Sequence, residues 1–332
     1  ESLYAGAALD EAELEQLAMH AIGAHDRARV DHIRVQYDII RGRPAQAIEA
    51  GLRALASLGI VLPESEADCA PLIARALVSV RGLMRGRSFE DLLAIPPISA
   101  PEIALAIGIL ADLSSPTNLT RPALYALIIA TQTELSLLHG HASISSYSYM
   151  VYAYHLATTH RAFAESRQVG RFALALLERS GAAEVACKTR FVFGCFAHFS
   201  CPLQEVVAQF DSAHRVGLRT GDAVYLSYAC SHMLLARLNL GESLGDLDGA
   251  CGEYIALMRR TRVASSLAVQ KVARQFIAGL QGRTDHTNTL SGPGFDADAI
   301  LAAADASSLS FAVRWQLLAH LELLVIFGHH AL

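Results

Sequence analysis

The chain of 332 residues is 52% apolar and 18% charged, so it can bury a large core and is not of the disordered class. With a net charge of −5, nothing points to the basic stripe that nucleic-acid binding requires. The longest apolar runs fall short of the roughly 20 residues that span a bilayer, which argues against a membrane span.

Lys188 and Lys271 are the only lysines, a bias that fits a GC-rich bacterial genome. The six cysteines follow no disulfide framework and lie in apolar helical patterns, as expected of reduced thiols in a cytoplasmic protein. The opening ESLYAGAALDEAELEQ is acidic and amphipathic, unlike a secretory signal. The chain starts without Met and stops within the apolar pattern LLAHLELLVIFGHHAL, so it reads as a segment of a longer polypeptide.

In chain order, residues 29–59 predict one helix ending at Arg41-Gly42 and a second opening at Pro44, a residue tolerated in a first turn. Gly59 supplies the stop, and Ala47 and Ala54 share one face where another helix can approach closely. Residues 63–140 differ in pattern. ADCAPLIARALVSVRGLM predicts a helix, and SFEDLL a short one with Ser88 as N-cap and Asp91 three residues on. IPPISAPE is a rigid turn before two long apolar helices. The arginine clusters at 81–87 and 259–262 read as solvated helix ends, and His139 and His141 as capping residues.

A unit then recurs. HRAFAESRQVGRFALALLERSG (160–181) aligns with 41–59, matching Gly51 to Gly170 and Ala54 to Ala173. CPLQEVVAQFDSAHRVGLRTG (201–221) repeats it 40 residues on, with Ala213 in the place of Ala173; GESLGDLDGACGEYIALMRRT (241–261) places Tyr254 there. An apolar helix precedes each copy. A helix–turn–helix unit of about 40 residues that cannot bury its apolar face alone is the signature of an all-α solenoid. The expected divisions are 1–62 (N-terminal helical repeats), 63–140 (helical insert), 141–280 (repeats) and 281–332 (polar loop and C-terminal helices), in one continuous solenoid.

No phosphate-binding loop, HExxH, nucleophile elbow or kinase catalytic loop occurs, so neither catalytic residues nor a cofactor are expected. Cys195, His198 and Cys201 are spaced like a ligand set. A fourth zinc ligand is missing, however, and Pro202 ends the helix, which favours a packed core helix over a metal site or an enzyme built on these residues. Tyr147 and Tyr154 lie seven apart on one face of SYSYMVYAY, with Tyr149 and Tyr152 on another. On the corresponding helices of the next units come Arg190, then Tyr225, Tyr228 and His232 at i, i+3, i+7. Stacked in register, these side chains would form a polar-aromatic stripe along a groove for a ligand or partner; ordinary packing is the competing reading.

RSFEDLLAIPPIS, RPALYALIIATQTELSLLHGHASISSYSYMVYA, TRFVFGCFAHFSCPLQE and GDAVYLSYACSHMLLARLNLGESL resemble the helical-repeat region of large bacterial signalling proteins. Those proteins join a Ser/Thr-kinase-like module, an AAA/STAND-type ATPase, this region, a GAF domain and a sensor histidine kinase. The units are also similar to tetratricopeptide repeats: Phe193-Gly194 stands where that family has Leu-Gly, although the period exceeds the usual length of about 34 residues. The resemblance implies antiparallel helix pairs in a right-handed superhelix. It also implies a non-catalytic regulatory or scaffold role, with a protein partner, the adjacent ATPase and kinase domains or a small ligand as the thing bound. The same shape also serves solenoid sensor segments of STAND-type transcriptional regulators.

Overall fold

The structure is a computed structural model that describes residues 11–261, 263–302 and 311–329; these are α-helices and turns, with two isolated bridges and no strand. The acidic opening residues 1–10, the final residues 330–332 and Arg262 of the second arginine cluster lie outside the described residues. The fold is all-α, and no described helix is long and apolar enough to cross a membrane. The chain divides into two compact units, Glu1–Ser200 and Cys201–Leu332.

The first unit runs α1 (Glu11–His20), α2 (Gly23–Ile40), α3 (Pro44–Ser57), α4 (Glu66–Met84), α5 (Phe89–Leu93), α6 (Pro101–Thr120), α7 (Pro122–His139), α8 (Ser145–Thr158), α9 (Phe163–Ser180) and α10 (Ala183–Ala197). Pro44 opens α3 and Gly59 (φ 82°) follows its end; Ala47 and Ala54 on its inner face are wholly buried. Around α5 the capping box forms as its spacing predicts, with the Asp91 amide donating to Ser88 Oγ at 3.1 Å and the Ser88 amide to Asp91 Oδ2 at 2.8 Å.

Helices α2 and α3, and α8 and α9, pack as sequential pairs, whereas α4 packs against α7. A long-range cap explains that departure. The Glu66 carboxylate accepts from the Ala123 and Leu124 amides at 2.8 and 3.2 Å, meeting the positive end of α7 from 57 residues away. A buried amide joins the next three helices: Gln132 of α7 donates to Ser114 of α6 at 3.1 Å and accepts from Ser148 of α8 at 3.0 Å. Such a bridge is satisfied in one register only, so it sets how these apolar helices mesh.

The second unit contains α11 (Leu203–Thr220), α12 (Ala223–Asn239), α13 (Leu244–Thr261), α14 (Ala264–Leu280), α15 (Ala297–Ala302) and α16 (Phe311–Ile326). Its pairs are α11 with α12 and α13 with α14, while α16 packs on α14. The polar loop before α15 is pinned by Leu290, fully buried with Phe276, Ala297 and Leu323.

The recurrence read in the sequence is borne out as burial. On α9 the residues Ser166, Gly170, Ala173, Leu176 and Leu177 are buried; 40 positions on, Val206, Phe210, Ala213, Val216 and Gly217 are buried on α11. A further 41 positions bring Leu247, Cys251, Tyr254, Leu257 and Met258 of α13, also buried. The same face is presented each time with different volumes. Gly170 is small because Phe193 and Phe196 of α10 fill its place: a Cβ there would lie 3.0 and 2.9 Å from their rings. Burying each such ring contributes roughly 2–3 kcal/mol.

His141 does not cap α7. Gly140 leaves the helix at φ 114°, and the chain then pairs with the Pro-rich turn, His141 N donating to Pro96 O at 2.9 Å and Ile98 N to His141 O at 3.1 Å. The imidazole is thereby packed against Tyr149 and Phe172, with ring centroids 5.6 and 6.3 Å away.

Candidate functional site

The most concentrated polar chemistry of the first unit lies where α2, α6, α8 and α10 meet. Asp112 is the lone acid in the apolar run of α6, and Lys188 sits on the apolar α10; Nζ lies 3.4 Å from Asp112 Oδ1, with the two side chains 11% and 14% exposed. His32 and Gln36, one turn apart on α2, both reach the other carboxylate oxygen, at 2.9 and 2.8 Å. Burial opposes ionisation of Asp112, yet the Lys188 charge and the His32 and Gln36 contacts outweigh it and hold the carboxyl well below the usual range. An ionised carboxylate only accepts, so His32 presents a protonated Nε2 to it.

Tyr147 of α8 completes this centre, with the Lys188 ammonium 4.8 Å from its ring centroid. Tyr154, two turns further along α8, belongs to the same face. Tyr125 of α7 lies within electrostatic reach of Tyr147, Tyr154 and Cys195, and burial foremost pushes its hydroxyl well above the ordinary phenol range. Tyr154 is raised by burial and then by Cys195. Arg190 pairs with Glu178 of α9. Tyr149 and Tyr152 are wholly buried.

In the second unit Tyr225 and Tyr228 are partly exposed and form an edge-to-face pair with centroids 5.8 Å apart. The Nδ1 of His232 lies 3.0 Å from the Tyr228 carbonyl, and its ring lies between Phe210 of α11 and Trp315 of α16, at 5.8 and 5.6 Å. Tyr147 and Tyr154 thus share one centre in the first unit, and the other three share one in the second.

The cysteine–histidine set does not assemble. Cys195 is on α10 with its thiol pushed far above the ordinary value by burial; His198 is the C-cap of that helix with its ring 4.0 Å from Phe199; Cys201 opens the second unit. Among the described residues no three His, Cys, Asp or Glu side chains group as metal ligands. Burial also raises the Cys230 and Cys251 thiols to about 12, and Cys69 and Cys187 are wholly buried. With a disulfide reagent near neutral pH, only Cys201 is expected to react before unfolding: the Cys69, Cys195, Cys230 and Cys251 thiols are raised by burial, and Cys187 is wholly buried. Mass mapping of the labelled peptides checks this; rapid modification of Cys195 is the contrary result.

Among the described residues, every displaced titration moves away from neutrality. The phenols and thiols rise, the displaced aspartates fall, and burial lowers His141 and His155 to about 4. General acid–base chemistry needs the opposite. What the centre offers is a fixed ion pair, protonated hydroxyls and aromatic faces.

Asp112, His32 and Tyr125 escape a reading of the sequence because their partners are 76–80 residues away or on other helices. Their one signal is contextual: an acid inside the apolar run of α6 and one of only two lysines, on α10. No family model matches the chain, and no curated protein or solved structure matches it.

Proposed function

We propose that the chain is a non-catalytic helical-repeat segment with a regulatory or scaffold role in a cytoplasmic bacterial signal-transduction ATPase/kinase. It would bind a protein partner or neighbouring domains of the same polypeptide. The observation that carries this reading is the recurrent buried face of α9, α11 and α13. Repeated helix pairs build long surfaces from interchangeable parts, and such surfaces recognise partners without performing chemistry. The resemblance of the repeat stretches to multidomain signalling proteins supplies the setting.

The test is made on the polypeptide encoded by the complete reading frame. The frame is expected to carry kinase-like and ATPase modules, and removal of residues 141–280 is expected to change its ATP turnover several-fold while leaving turnover measurable. Turnover indifferent to that deletion, or a frame carrying a DNA-binding helix-turn-helix in their place, overturns the proposal.

A further inference from the structure

We infer that the cleft between α4, α5 and α9 is a docking site for a short acidic peptide segment bearing an aromatic or aliphatic anchor. The inference rests on the partner-binding role proposed above and assigns that role a place and a chemistry. The cleft has a volume of about 590 Å³, lies wholly within the first unit, and is within the roughly 300–1,000 Å³ usual for binding sites.

Its charge is predominantly positive. Arg81 and Arg85 come from the end of α4 and Arg87 from the turn after it, and all three are exposed. Elsewhere in this unit Arg43, Arg53, Arg121 and Arg190 each hold a carboxylate in an ion pair. The three cleft arginines hold none within 4.0 Å among the described residues. Glu165 is the only acid on the cleft wall, and the nearby Asp91 carboxylate accepts from the Ser88 amide.

The floor is apolar and already assembled. Phe172 is fixed from behind by Tyr149, ring centroids 4.9 Å apart, and meets the edge of Phe89 at 5.6 Å. Phe89 nevertheless stays 39% exposed, a large apolar surface left at the mouth of a cationic cleft. Beside this wall the buried Tyr152 hydroxyl is pushed up by burial and then by Glu165, and a side-chain contact with Arg81 opposes both. A rigid aromatic floor accepts one anchor side chain, and guanidinium forks on the rim accept carboxylates at either side of it. An inorganic anion would leave the floor unused. A nucleic acid is disfavoured by the net charge of −5.

Fluorescence anisotropy on the full chain tests this with a labelled hexapeptide, EEFLEE, against QQFLQQ and EEAAEE. EEFLEE is expected to bind, each control at least about tenfold more weakly, and the complex to weaken as salt rises from about 50 to about 500 mM. Joint Arg81→Glu and Arg85→Glu substitution is expected to abolish binding with an unchanged melting temperature, since both side chains are exposed; Arg85→Lys is expected to retain part of it. Equal binding of QQFLQQ, binding untouched by the charge reversal, or uptake of the apolar anion ANS with none of the peptide overturns the inference. Those failures leave the ATP-turnover test of the wider role intact, so the two can fall separately.

Discussion

Asp112→Ala is expected to lower the stability of the first unit by about 3 kcal/mol, because it strands the nearly buried Lys188 ammonium without its counter-ion. For a unit of this size that loss corresponds to a fall of about 6–12 °C in melting temperature, read by circular dichroism. Pairing it with Lys188→Met is expected to recover much of the loss, since the cost lies in an unpaired charge more than in a missing attraction. If the double variant is as unstable as the sum of the singles, the two side chains act independently and the ionic centre is misread. The pH dependence has a definite sign. The folded carboxyl is held below its unfolded value, so its contribution is complete above the ordinary aspartate pKa of about 3.9 and is given up as pH falls below it. Wild type and Asp112→Ala should therefore converge in acid and differ most at neutral pH.

Gly140→Ala is the second large effect, on the order of 3 kcal/mol. Here φ is 114° and ψ 170°, a region nearly closed to side chains. A Cβ would also stand 2.6 Å from the Pro96 carbonyl oxygen and 2.9 Å from the Ile98 nitrogen, both backbone atoms that cannot turn aside. Relief requires breaking the two hydrogen bonds that seat the Pro-rich turn, and with it the burial of His141. Gly181→Ala is the control. That residue has φ 63° and open space around its Cβ direction, so its cost is expected near 1 kcal/mol. Urea unfolding of both variants separates the cases, and equal midpoints would show that the turn is not locked at Gly140.

Legibility followed distance along the chain. Pro44, the Ser88–Asp91 box and the start of α11 at Leu203 were readable because each is decided by two to four neighbouring residues. The 40-residue recurrence was readable because small and apolar residues return at fixed offsets. The α4–α7 packing was not, since it depends on Glu66 capping a helix 57 positions later. Nor was the fate of His141, which looked like a cap residue until Gly140 redirected the backbone. Of the stripe residues, Tyr147 is tied to a charged centre that no local pattern announces, and Arg190 pairs with Glu178, an exposed acid.

Phe193 and Phe196 fill the space that Gly170 leaves, while 40 positions later Phe210 stands where Gly170 does. The buried face has stayed in place while its bulk has changed from Gly170 to Phe210. A chain built this way can gain or lose one whole period by duplication or deletion and still present a face its neighbour accepts, provided volumes trade across the contact. Cutting half a period would instead bring helices of the wrong class together. Length in such a protein is therefore heritable in whole units, and each new unit is free to diverge by exchanging large residues for small ones across the joint.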